Sequence, residues 1–133
     1  QLEVMKTSGC LMSATDGYFG SGVYNPKKKY QIYNKEKYQN IIKGIYSRKG
    51  KGELMKNGFP IIWNKEFLNV HNCCIASSVM IERSIIDKVG YFSNQLWAPD
   101  YDYWKRVIEH TDCIYLEKPL VYWDSRHGEG QNY

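Results

Sequence analysis

The sequence is short of almost every feature that would announce a function by itself. Its four cysteines, Cys10, Cys73, Cys74 and Cys113, form no CxxC, and the adjacent Cys73–Cys74 pair is poorly spaced for two ligands of one zinc. A zinc finger or ribbon is excluded on that ground. No apolar run approaches the roughly 18–20 residues of a membrane-spanning helix, no Asn-Xaa-Ser/Thr sequon occurs and no signal-peptide pattern is visible. A reduced, cytoplasmic setting is therefore the expectation, with placement at the cytosolic membrane face as its peripheral variant. Positive charge is in modest surplus, +4, but dispersed apart from Lys27–Lys29 and Arg48–Lys51, both beside Gly or Pro. That pattern suits solvated loops better than a nucleic-acid binder, so no nucleic-acid partner is expected. GYFGSG (Gly17–Gly22) lacks the Lys-Ser/Thr and the helix of a phosphate-binding loop, which leaves its glycines to serve turns.

What is abundant is aromatic. Twelve Tyr and four Trp stand in 133 residues, side chains that join an apolar body to a polar handle. They suit the flat faces of sugars, and equally a small core that must close on little material. Length and a 43% hydrophobic content fit one domain, residues 1–133. Gln1–Lys6 reads as the tail of an amphipathic helix with Leu2 and Met5 on one face, too short to stand alone. Upstream sequence is the expectation. Cys10–Thr15 predicts a buried strand, Asp16–Lys29 a loop, Tyr30–Tyr33 a short strand and Lys35–Tyr46 a helix with Tyr38, Ile41, Ile42 and Ile45 at helical spacing. A basic loop (Ser47–Gly58) and a brief apolar run (Ile61–Trp63) follow. Cys74–Ile81 predicts an interior strand and Ser84–Val89 a helix stopped by Gly90. Pro99 predicts an extended approach to a helix from Tyr101 to about His110, capped by Asp100, with Trp104, Val107 and Ile108 inward and Asp102 paired with Arg106. Cys113–Trp123 predicts an extended segment interrupted by Pro119.

Three blocks, in order, resemble inverting family 2 glycosyltransferases of the GT-A type. QLEVMKTSGCLMSAT is similar to the segment after that family's metal-binding aspartates. HNCCIASSVMIERSIIDKVGYF (His71–Phe92) resembles its acceptor-side strand and short helix. APDYDYWKRV (Ala98–Val107) resembles the block in which an acidic residue opens a helix reading "DydlW.R". Downstream, EKPLVYWDSRH (Glu117–His127) is similar to a strand-and-tail segment ending near a His. The resemblance implies an α/β class and a partial GT-A (nucleotide-diphospho-sugar transferase-like) fold. A small mixed sheet with flanking helices is expected, with the N-terminal nucleotide-binding half absent. The family's usual Glu-Asp pair is Pro99-Asp100 here, so the first acid and its supporting contact are lost.

The implied activity is transfer of a sugar from a nucleotide-sugar donor to a hydroxyl of a saccharide or glycan acceptor, with inversion and Asp100 as general base. A carboxylate at a helix N-terminus is kept ionised by backbone N–H groups and the helix dipole, as a base acting near neutrality requires. Asp100 as an N-cap and nothing more is the competing reading. Substrate-binding candidates are Trp97 on the approach loop, Arg126 and His127 in the tail, and His71. The resemblance also allows His127 to reach the donor's metal. Asp102 is expected to pair with Arg106 rather than to do chemistry, and Ser77 and Ser78 to be small packing residues. A divalent metal, Mg or Mn, is implied for the full-length enzyme, with none bound by this chain alone, because no Asp-rich motif stands in a donor-binding context. The fragment is expected to be inactive alone and to self-associate through an exposed sheet edge. A non-catalytic carbohydrate-binding or scaffolding module is the alternative.

Overall fold

Two strands far apart in sequence form the spine of the molecule. β1 (Met12–Gly20) and β5 (Cys113–Asp124) pair in parallel, from Met12 opposite Cys113 to Gly20 opposite Asp124. The computed structural model describes residues 1–94 and 98–126. β2 (Gln31–Ile32) and β4 (Met80–Ile81) lie antiparallel to opposite ends of β1, and β3 (Ile62–Trp63) lies antiparallel to the start of β5. The strand order is β2-β1-β5-β3, with β4 beside β1. Around this sheet stand α1 (Leu2–Ser8), α2 (Gln39–Arg48), α3 (Lys65–Leu68), α4 (Arg83–Val89) and α5 (Pro99–Val107). The class is mixed α/β, a small mixed sheet with flanking helices, as the sequence predicts.

Side chains alternate across a strand, so β5 serves two faces. Cys113 and Tyr115 join the main core with Trp63, Phe67, Tyr46, Trp104 and Val107, while Ile114 and Leu116 face the other way and pack with Met5, Val4 and Cys10. That second cluster is what holds α1. Met5 is buried as expected, whereas Leu2 is 55% exposed, so Val4 rather than Leu2 shares the inward face.

Several expectations need correction. The loop assigned to Asp16–Lys29 begins too early, because Asp16–Gly20 continues β1. Its partner β5 absorbs the irregularity: Thr15 faces Leu116 but Asp16 faces Pro119, leaving Glu117 and Lys118 bulged. A bulge is where a strand tolerates a proline. The strand assigned to Cys74–Ile81 is interrupted. Ala76–Ser78 forms a 3₁₀ turn and only Met80–Ile81 pairs with β1, because the Ser78 hydroxyl, not a backbone carbonyl, receives the Thr15 N–H.

Nor does the chain arrive extended at α5. Ala98 adopts a left-handed conformation (φ 43°), and Pro99 takes the first helical position, where its missing N–H costs nothing. Asp100 is thus the second helical residue rather than the cap. The helix predicted from Lys35 begins at Tyr33 with a π-helical stretch to Tyr38 before α2. The stop at Gly90 (φ 80°) and the inward Trp104, Val107 and Ile108 are as predicted.

Candidate functional site

A cleft of about 1020 Å³ opens between α2, the segment His71–Ser77, the first turn of α5 and the end of the sheet. Its presence accounts for five of the sixteen Tyr and Trp residues. Trp63, Tyr46, Tyr103, Trp104 and Tyr115 are core. Tyr24, Tyr33, Tyr38, Tyr122 and Trp123 instead line the cleft. They brace one another: Tyr33 and Tyr38 have ring centroids 4.6 Å apart, Tyr24 and Tyr122 5.3 Å, and Trp123 stacks on Phe19 at 5.2 Å. Ile41, Ile42 and Ile45 of α2 add an aliphatic floor. The apolar stripe read from the sequence is therefore divided: Ile42 reaches the core, while Ile41 remains 57% exposed.

Asp100 lies in the wall of this cleft, half-buried. Its Oδ1 accepts from the Tyr101 N–H at 2.8 Å and its Oδ2 from Asn72 Nδ2 at 3.3 Å. An ionised carboxylate offers about four acceptor positions, so these two contacts leave room for an incoming hydroxyl. α5 itself is tightly moored. The Tyr101 hydroxyl donates to Leu68 O (2.7 Å), the Tyr103 hydroxyl to Gly90 O (2.8 Å), and Arg106 to Val89 O and Tyr91 O (2.9 Å each). Asp102 pairs with Arg106 at 3.2 Å as expected and is not among the cleft residues.

His71 also lines the cleft, half-buried. Burial, and then the nearby Lys49 ammonium, lower its pKa below the ordinary histidine value, which favours the neutral ring. Cys73 and Cys74 border the same space. Burial pushes the Cys73 thiol up to about 12, and a hydrogen bond with Cys113 together with burial holds Cys74 well above the usual thiol range. Neither is a thiolate nucleophile near neutral pH. Ser77 lines the cleft, and Ser78 is buried with its carbonyl accepting from Gln1 Nε2 at 2.6 Å. Arg126 follows β5, exposed, its backbone N–H bonded to Asp124 Oδ1 at 2.9 Å. Of the predicted site residues, the cleft thus unites Asp100 and His71 but not Arg126. Trp97 and His127 lie outside the described residues.

Asp102 is engaged by Arg106 and is not among the cleft residues, so Asp100 and Asp102 do not converge on one position. Among the described residues no three His, Cys, Asp or Glu side chains converge on a metal position. No helix among them is long and apolar enough to cross a membrane.

Sequence reasoning missed Asn72, Tyr33, Tyr38, Tyr122 and Trp123 as site residues. The signal for Asn72 was its place beside His71 in the resembling block. For Tyr122 and Trp123 the sequence carries none, since neighbours in a strand normally face opposite ways. It also missed Asp16, read as the start of a loop. Asp16 is fully buried beneath the cleft-lining Tyr33–Asn34 segment. Its carboxylate accepts from the N–H groups of Gly17 (2.9 Å), Asn34 (2.9 Å) and Lys35 (3.1 Å) and from the Tyr115 hydroxyl (2.8 Å). Ile32, at the cap position of the π-helical stretch, has no polar side chain, so Asp16 satisfies that stretch's first donors from the neighbouring strand. Compared with models of protein families, with curated proteins and with solved structures, the chain has no significant match.

Proposed function

We propose that this chain is the acceptor-side portion of an inverting family 2 glycosyltransferase of GT-A type, and that Asp100 is its general base. The observation that carries the reading is the Asp100 carboxylate in the wall of an aromatic-lined cleft, held at a moored helix N-terminus with acceptor capacity unfilled. In an inverting transfer such a base takes the proton of the acceptor hydroxyl as its oxygen attacks the anomeric carbon, opposite the departing nucleotide. The rings of Tyr33, Tyr38 and Trp123 offer faces for the acceptor saccharide. On this reading the nucleotide-sugar donor and its Mg or Mn belong with a nucleotide-binding half outside this chain, with Arg126 and His127 approaching the diphosphate from the tail. The chain alone then turns over no nucleotide sugar. A cytoplasmic setting and self-association through the sheet edge are part of the same proposal.

The test is Asp100→Asn in a protein that carries this chain together with its donor half. Assayed with a panel of nucleotide sugars and saccharide acceptors in Mn²⁺ or Mg²⁺, transfer falls by about 10²–10⁴-fold. Undiminished transfer would sink the assignment. The aromatic wall also favours a second reading, a saccharide-binding module without catalysis. It predicts saccharide binding by the isolated chain with no transfer in any longer form.

A further inference from the structure

Asn72 is held from one side and acts on the other. Its Oδ1 accepts the Cys74 N–H at 3.2 Å, which fixes the amide so that Nδ2 faces Asp100 Oδ2 at 3.3 Å. That second distance is long for an N–H···O contact, as is common before a ligand tightens a site. The remaining contact of Asp100 is the adjacent Tyr101 N–H on Oδ1, which comes from its own helix and leaves Oδ2 to be placed by something else. Among the described residues Asn72 is the side chain bonded to that oxygen. An amide suits the task. It donates without adding charge, and it leaves the second acceptor position of Oδ2 open.

We infer that Asn72 is a positioning residue, whose side-chain amide, locked by the Cys74 N–H, holds the Asp100 carboxylate in the orientation that presents Oδ2 to the cleft. The catalytic consequence rests on the transferase reading above; the geometry does not. Removing the donor frees the carboxylate to turn about its side-chain bonds, so fewer encounters find it aimed at an acceptor hydroxyl. The loss then falls on the chemical step rather than on acceptor binding.

Asn72→Asp keeps the oxygen that accepts from the Cys74 N–H and removes the donor, but adds a charge beside Asp100. Every reading is therefore repeated on Asn72→Ser, whose hydroxyl can accept the same N–H without added charge and is too short to reach Oδ2. The assignment stands only if both variants respond. The measurement is NMR of the 133-residue chain. In the wild type the two Hα–Hβ couplings of Asp100 are unequal, one orientation dominating. In Asn72→Asp they converge toward a rotational average while the melting midpoint stays near the wild type. Asp100→Ala provides a reciprocal reading on a second variant, shifting the Asn72 side-chain amide signals. Couplings unchanged in Asn72→Asp, or amide signals unmoved in Asp100→Ala, overturn the assignment. In a transfer-competent protein, Asn72→Asp lowers kcat by about 10–100-fold with KM within about twofold. If Asp100→Asn leaves transfer intact, the transferase reading fails on its own, and the couplings still decide what Asn72 does.

Discussion

Asp16 and Asp100 are both carboxylates placed beside the start of a helix, yet the molecule treats them in opposite ways. Asp16 is sealed in the sheet and accepts four hydrogen bonds, from Gly17, Asn34, Lys35 and Tyr115. Asp100 is half-buried, faces a cleft and accepts two. A filled carboxylate has no capacity for chemistry and considerable leverage on stability. A partly filled one at a cleft wall has the reverse. The difference separates a structural acid from a candidate base without appeal to any relative.

Substitutions can break that contrast, beginning where the effect is largest. Asp16→Ala strands the N–H groups of Gly17, Asn34 and Lys35 and the Tyr115 hydroxyl, and should cost on the order of 3–5 kcal/mol in urea unfolding. A loss below about 1 kcal/mol would mean that water or a neighbour replaces the carboxylate. Tyr115→Phe deletes one of the four donors and keeps the ring, which stacks on Trp63 at 4.3 Å. Its expected cost is about 1.5–3 kcal/mol, the range for a hydrogen bond to a charged group. The phenol is a dependable donor, since burial and then the Asp16 charge raise its pKa far above the ordinary tyrosine value. Asp100→Asn should cost only about 0.3–1 kcal/mol, the worth of a charge at a helix N-terminus, even where transfer collapses. Equal costs at Asp16 and Asp100 would erase the distinction.

The smallest effect belongs to His71. Its folded pKa lies below the ordinary 6.5, so the unfolded chain takes up the proton first on acidification. The stability associated with the neutral ring is complete above about pH 6.5 and is lost as pH falls through the lower folded value. His71→Gln should therefore flatten the pH dependence of the melting midpoint below pH 6.5 and leave it nearly unchanged above. An unaltered acid limb would show that the ring is solvated.

Local signals were readable wherever a segment's own chemistry determined its structure. Pro99, Gly90 and the Trp104–Ile108 spacing marked α4 and α5, and the i,i+4 pair Asp102–Arg106 formed as expected. Reading failed where a distant partner decides. Asp16-Gly17-Tyr18-Phe19-Gly20 has the composition of a turn and becomes strand because β5 and β2 lie along its two edges. CIASSVMI has the composition of a buried strand, but its first half lines the cleft and only Met80–Ile81 pairs with β1 as a strand. Within the site, the local pattern at Asp100 reads only as a helix cap, and the resemblance of its block is what singles it out. Asn72 depended on the approach of two segments separated by 28 residues, which no spacing rule records.

The parallel pairing of β1 with β5 has a temporal side. Leu11 and Thr111, bonded beside the start of the two strands, lie 100 residues apart. On a ribosome β1 can therefore meet β2 early, but its other edge stays without β5 until the 100 residues from Leu11 to Thr111 have emerged. The spine thus closes long after its first strand is made, and the interval between the two is open to misassociation.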